Sequence, residues 1–495
     1  MNISNALNGH FNNMSDINDL ITFPSVRRLA PVPTATLQQA LALVDASGVA
    51  ESVAAWERED GARRASASVS PRVVLAAWVV LAMEGLPLTV RSVAVLIASR
   101  LTPRTRALLA LPDTLAQLDE QQITGRVRRA TMRIVDVMDA FPLPTRQRRL
   151  TKREWDEVCD QRGEDAAQLE VKRGRFVEFT NRLLAAQYDT VRDSVRLDEV
   201  SVALGTCFRG AHAVGIGKRR MAGLQPGALV SAEPDAGFQA DVFPGMRTLR
   251  ARYGWEDDLV VLTSPDPSTQ PVPNIVIGFN THRPGISPAR FAGEALQHMA
   301  DRGTRVGHVV LDRAYMAALA EDLKSPLQAL GARVVGDYPR TRLGVQEAAE
   351  HGVFVEGSWY HPSMPSRLRD AVKDFRSMSR GSSADPSAAR ARLGELIAER
   401  AAYMLDANAQ AAEGARGGGH AQRYPYLSPE WDRAYSAGQC AVESYLSVHY
   451  RRESHPTTGG VRGATGQAFL SLLAIVGTNS RVISGYLGDH ADEEV

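Results

Sequence analysis

The chain has 495 residues, of which 44% are apolar and 23% charged, and a formal net charge of +1. That length suffices for roughly two to four domains and at least one large core. A near-zero balance neither supports nor excludes a nucleic-acid partner, because basic clusters alternate with acidic ones along the chain. The three cysteines, Cys159, Cys207 and Cys440, are far apart and form no CxxC pair, which excludes a zinc ribbon and a disulfide framework and fits a reducing cytoplasm. The first thirty residues are polar and rich in Asn, without the basic start and apolar run of a secretory signal. The most apolar stretches, Val73–Met83 and Ala468–Val476, have 11 and 9 residues. Both are shorter than the roughly twenty a bilayer requires. A soluble cytoplasmic protein without a membrane partner is expected.

In chain order, residues 1–69 read as a loosely ordered segment with one helical pattern, Thr36–Trp56, and a polar linker over 58–69. Residues 70–150 carry clean helix starts. Ser70 before Pro71, and Thr102 before Pro103, pair an N-cap with a proline at the first helical position, and Thr89 can cap a third helix. A longer helix, about Glu120 to Ala140, carries Arg126, Arg128, Arg129 and Arg133. Short helices with tight turns suit a helix-turn-helix-like module or a plain bundle with a solvated basic face.

Residues 141–165 read as a basic, Pro-interrupted connector, and a helix is expected from Ala166 to Tyr188. The period then changes. Ser194–Val202 alternates as a strand does, and Asp258–Thr263, Asn274–Phe279, Val306–Leu311 and Ala332–Gly336 are further strand candidates. Helices Pro288–Arg302 and Tyr315–Leu330 separate the later ones, which implies a mixed α/β sheet over 151–340. Residues 341–427 read as an insertion, with a strand-like Val353–Val355 and basic helical stretches including Arg369 and Lys373. In 428–495, Ser428 starts a long helix to about Tyr450, and a last helix runs from Thr465 to Leu487. No repeat at solenoid spacing occurs.

Three acids stand out. Val306–Leu311 is an apolar run that stops on Asp312, a common way for an α/β sheet to present a carboxylate at the carboxyl end of a strand, though such an acid alone reads as a helix cap. Asp198 falls within the first strand candidate, where an acid among apolar neighbours is costly unless paired or metal-bound. Glu443 extends Trp431, Tyr435 and Gln439 at intervals of four, which suggests one helical stripe. Two strand acids and one helix acid form an oxygen ligand set suited to Mg²⁺, and two such ions about 4 Å apart can drive phosphodiester displacement. The chain contains no GxSxG, HExxH or P-loop motif, and Gly215-Ile-Gly217-Lys218 lacks the spacing of a phosphate cradle.

Together these residues resemble the DDE transposases of bacterial insertion sequences, from about residue 70 to 487. Arg196-Leu-Asp198, His308-Val-Val-Leu-Asp312-Arg-Ala-Tyr315 and Trp431-Asp-Arg-Ala-Tyr435 through Glu443 are similar to the three acidic motifs of that family. Arg462-Gly463 and Asn479 fit its carboxyl end. The resemblance implies an α/β fold: a ribonuclease H-like mixed sheet with flanking helices, preceded by an all-helical DNA-binding domain and interrupted by an insertion before the last catalytic helix. It implies that Asp198, Asp312 and Glu443 bind two Mg²⁺ ions, for which Mn²⁺ can substitute, and drive strand cleavage and strand transfer. It further implies double-stranded DNA as partner, a homodimer on paired ends, no small-molecule cofactor, and a nucleoid-associated bacterial protein. Arg126, Arg128, Arg129, Arg133, Lys218, Arg219, Arg220, Arg313, Arg369, Lys373, Arg451 and Arg452 are the candidate phosphate contacts. Gln439 stands where the family has Arg, and Tyr450 precedes the basic pair Arg451-Arg452, departures that leave open a copy which binds DNA without cutting it.

Overall fold

The N-terminal helices follow their caps. In the computed structural model, α1 (Thr34–Ser47) ends on Gly48. That glycine takes the left-handed conformation at φ 64° and leads directly into α2 (Val49–Glu59). Ser70 accepts from Val73 N–H at the start of α3 (Pro71–Met83), whose residues Val73 to Ala82 are all buried. Thr89 and Thr102 cap α4 (Val90–Val95) and α5 (Pro103–Leu108) in the same way. A π-helical turn, Leu96–Arg100, extends α4. A capping box of Asp119 and Gln122 opens α6 (Glu120–Asp136). The structure describes residues 29–61, 69–111, 113–115, 117–146, 148–195, 199–211, 213–241, 250–264, 271–286, 288–317, 320–350, 352–378, 386–405, 422–453 and 461–491.

Part of the expected connector is helical. Thr151 and Glu154 form a second capping box at α7 (Lys152–Glu164), which leads into α8 (Ala166–Asp189) and a short α9 (Arg192–Val195). The first strand is therefore displaced from its expected position. The chain is helical to Val195, and β1 runs over Val200–Gly210. Then follow α10 (Lys218–Ala222), β2 (Gly237–Asp241), β3 (Arg250–Thr263), β4 (Val276–His282), α11 (Pro288–Asp301), β5 (Val306–Leu311), α12 (Arg313–Met316), α13 (Ala320–Ala329) and β6 (Arg333–Gly336).

These six strands form one mixed sheet. β3 is antiparallel to both β1 and β4, whereas β1, β5 and β6 are parallel. Across the sheet the order is β4–β3–β1–β5–β6. Gly254 pairs with Gly210 of β1 and with Gly237 of β2, so β2 continues the edge occupied by β4. Past that point β1 has ended and only β2 and β3 remain paired.

The insertion has its own three-stranded antiparallel sheet, β7 (Val345–Ala349), β8 (Gly352–Val355) and β9 (Ser358–Tyr360). Helices α14 (Ser366–Arg369), α15 (Ala371–Met378) and α16 (Pro386–Arg400) follow. A small core of Val353, Val355, Tyr360, Met364 and Leu368 is closed by a fully buried ion pair, Arg400 Nη1 to Glu356 Oε2 at 2.6 Å. The Gln422 side chain bonds both N–H and C=O of Gly336 and so ties the insertion's end to β6.

Two long helices complete the chain, α17 (Pro429–Glu453) and α18 (Ala464–Ala491). One helical stretch, Ala464–Asp489, is long and apolar enough to cross a membrane, but 72% of its most apolar window is buried against the rest of the protein. Its Gly477 lies against Ala82 of α3 with no room for a Cβ, and its Asn479 side chain bonds both N–H and C=O of Val276 in β4. The N-terminal helices and the sheet therefore share one apolar core.

Candidate functional site

β5 runs out onto a single acid and then a helix, as its sequence predicts. Val309, Val310 and Leu311 are fully buried, and the chain then turns out of the sheet. Asp312 stands at that turn. Its Oδ1 accepts from Ala314 N–H at 2.8 Å and Tyr315 N–H at 3.1 Å, the geometry of a helix N-cap. Tyr315 is buried, and its hydroxyl meets Thr206 Oγ1 at 2.6 Å and Asp258 Oδ1 at 3.0 Å. Burial and the Asp258 charge push that phenol well above its ordinary range.

The register identifies what lies beside Asp312. Ala203 of β1 pairs with Val310, so two residues further on Gly205 stands level with Asp312. Helix α17 crosses this face. A Cβ on Gly438 would come within 2.6 Å of Val310 Cγ2, and a Cβ on Gly205 would overlap Cγ1 of Val442. The buried face of α17 is Trp431, Ala434, Gly438, Ala441, Val442, Tyr445 and His449. Glu443 is exposed, which corrects the expected stripe. Steps of four overshoot the 3.6-residue period by about 40° each, so three steps carry Glu443 about 120° away from Trp431.

Asp198 lies outside the described residues. β1 begins two residues later at Val200, which pairs with Val306 at the far end of β5 from Asp312. β1 itself, Val-Ser-Val-Ala-Leu-Gly-Thr-Cys-Phe-Arg-Gly, contains no acid. A Mg²⁺ pair needs several converging carboxylate oxygens. Among the described residues no group of three His, Cys, Asp or Glu side chains is arranged to hold a metal ion. The described residues around Asp312 do not by themselves supply the ligand set of the Mg²⁺ pair that the resemblance implies, and Asp198 is not among them.

A different acid organises this edge. Asp337 follows β6 as Asp312 follows β5, with Leu311 paired to Gly336. Its Oδ2 accepts from Arg313 Nε at 2.6 Å, and its Oδ1 accepts from Arg376 Nη2 at 2.6 Å and from the Tyr426 hydroxyl. Arg376 also donates to the Tyr338 carbonyl at 3.1 Å. Tyr435, stacked on Trp431 with centroids 4.5 Å apart, has its phenol pushed up to about 12 by burial, Asp337 and Asp312. Arg376 is mostly enclosed, whereas Arg313 is 61% exposed and turned toward solvent. The sequence carried a signal for Asp337, since Val334-Val335-Gly336 is again an apolar run ending on an acid.

Two further buried acids lie in β3. Asp257 accepts from Arg209, Thr281 and Ser471. Despite burial, which raises a carboxyl, Arg209 and the hydroxyls hold its pKa below the ordinary value. Asp258 Oδ2 stands 3.0 Å from His282 Nε2, an ion-pair separation outside hydrogen-bond alignment. Burial depresses that imidazole, but Asp258 and the Arg283 carbonyl outweigh it and its pKa is raised. These groups are closed inside the sheet and tie β3 to β4 and α18.

The expected phosphate contacts separate into two kinds. Arg128, Arg129 and Lys373 are exposed, and Arg126 is partly buried. Lys218, Arg219 and Arg220 are exposed on α10 and make no ion pair with any described residue. Arg133 instead donates to the Val69 carbonyl at 3.2 Å and lies 3.7 Å from Glu57, and Arg369 donates to the Met364 and Pro362 carbonyls. Those two guanidinia make contacts within the fold. Arg451 and Arg452 belong to α17, but their side chains lie outside the described residues.

No family model, no curated protein and no solved structure matches this chain.

Proposed function

We propose that this is a DNA-binding protein with a transposase-like architecture and no strand-cleaving centre. The antiparallel neighbours β4, β3 and β1, followed in the sheet by the parallel crossover strands β5 and β6, with an acid after β5, support a ribonuclease H-like sheet to which β2 is an addition. Exposed cations on α6, on α10 and at Arg313 support a polyanionic partner. The observation that carries the reading is Val442 packed on Gly205. At the level of Asp312, where strand transfer would need converging carboxylates, β1 has no side chain and α17 presents a methyl group.

The test is a gel shift on duplex DNA run beside a nicking assay on supercoiled plasmid, in Mg²⁺ and in Mn²⁺. Retarded duplex with no nicked circle supports the reading. Metal-dependent nicking that disappears in Asp312→Asn would instead establish the cleaving enzyme implied by the resemblance.

A further inference from the structure

Beyond Gly210 and Gly254 only β2 and β3 remain paired, and this two-stranded ribbon at the outer end brings aromatic and basic groups together. Phe238 of β2 pairs with Tyr253 of β3, and their rings lie 4.9 Å apart on one face. The chain that leaves β1 crosses this face. A Cβ on Gly215 would stand 2.5 Å from Phe238 Cζ and from Tyr253 Cδ2, so only a glycine lets the backbone lie flat on the two rings. Tyr253 is anchored by its hydroxyl, which donates to the Glu233 carbonyl at 2.7 Å.

This close crossing fixes its flanks. On one side Val214, next to Gly215 in the chain, is 80% exposed, and Phe238 is 42% exposed. On the other, three residues along the chain, α10 begins with Lys218, Arg219 and Arg220, all exposed and without an ion pair to any described residue. Cations alone would serve any phosphate backbone. A partly exposed aromatic ring and an exposed valine near them offer an apolar surface that phosphate contacts do not use. Rings next to unpaired cations are the arrangement that takes single-stranded nucleic acid, with bases on the apolar surface and phosphates on the cations.

We infer that this ribbon is a contact for an unpaired stretch of DNA: Phe238 and Val214 take an unstacked base, and Lys218, Arg219 and Arg220 take the flanking phosphates. The inference rests on the DNA-binding reading above and adds the structural class of the ligand. It makes the protein a reader of gapped or distorted duplex rather than of intact duplex alone.

The experiment is fluorescence anisotropy with the full chain on a duplex of about 30 base pairs and on the same duplex carrying a gap of about five nucleotides. The unmodified protein is expected to bind the gapped DNA about 10-fold more tightly, the effect of one or two stacked bases. Val214→Ser with Phe238→Ser should remove that preference and leave intact-duplex affinity within about 2-fold, since phosphate contacts are untouched. Lys218→Gln, Arg219→Gln and Arg220→Gln together should weaken both DNAs and lower the salt slope by up to about three. Circular dichroism melts of each variant show whether it is folded. Because Phe238→Leu keeps the apolar bulk and loses the ring, an intermediate preference from it separates stacking from misfolding. Equal binding of the two DNAs by the unmodified protein overturns this inference alone. Failure to bind either DNA overturns the DNA-binding reading, and this inference with it.

Discussion

Val442 of α17 occupies the space that a side chain at Gly205 of β1 would need. The contact holds helix against strand at the level of Asp312, and each of the two residues limits what the other can be. Gly205→Asp would have to displace Val442 from a packed position. Overpacking of this kind costs about 1–3 kcal/mol. Urea denaturation should register that loss, and Val442→Ala in the same chain should recover much of it. Additive losses in the double variant would show that the two residues do not share this space.

Asp312 is a helix cap in the structure, and its substitutions should behave accordingly. Asp312→Ala removes the acceptor for two N–H groups and should cost about 1 kcal/mol, whereas Asp312→Asn retains a capping oxygen and should cost only a few tenths. DNA affinity should change little in either variant. A large loss of binding in Asp312→Asn with unchanged stability would assign Asp312 to the ligand rather than to α12.

Asp337 grips one enclosed and one exposed arginine, and the two should respond differently. Asp337→Ala leaves Arg376 enclosed without its carboxylate, a loss of about 3 kcal/mol. Arg313 is 61% exposed, and Arg313→Ala should cost less than about 1 kcal/mol of stability. It should nonetheless weaken DNA binding if the guanidinium meets phosphate. Thermal denaturation of the variants, with anisotropy on duplex DNA, separates the two effects.

Two buried histidines make the fold acid-sensitive. Burial, aided by Arg423, pushes the His308 imidazole down to about 4. Burial pushes His449 down to about 4 as well, against the opposing pull of Asp257 and with Arg481 and Arg209 adding to the downward push. Both groups bind protons more readily once unfolded. Their neutral forms stabilise the fold fully above pH 6.5, and this stability is lost as pH falls from 6.5 toward 4. The expected slope is about 1.4 kcal/mol per pH unit for each group. His449→Asn should remove one proton from the pH dependence measured by denaturation between pH 6.5 and 4. An unchanged slope would mean that His449 is already protonated in the fold.

Much of the architecture was legible because local signals agreed with it. Ser70, Thr89 and Thr102 each cap the helix that their sequence announced, and Val306–Leu311 is a strand with the expected bounds. β2, β7 and β9 were not read, because strands of 3 to 5 residues without sustained alternation carry little period. The site was harder. The acid at 198 lies next to β1 in sequence, but the strand runs from Val200 to Gly210, and a single sequence does not show which of its residues comes level with Asp312. For Glu443 the difficulty was angular, since one residue along a helix turns a side chain by about 100°. Asp337 followed the same pattern as Asp312, but its role became visible only when β6 brought Arg313 and Arg376 to it.

Among the described residues, carboxylates do not converge on Asp312. Manganese titration followed by electron paramagnetic resonance tests it most directly, because bound Mn²⁺ loses the sharp signal of the hydrated ion. The hydrated signal should persist at equimolar protein and metal, with no difference between the unmodified chain and Asp312→Asn. Bound Mn²⁺ in the unmodified chain that is released by Asp312→Asn would contradict it.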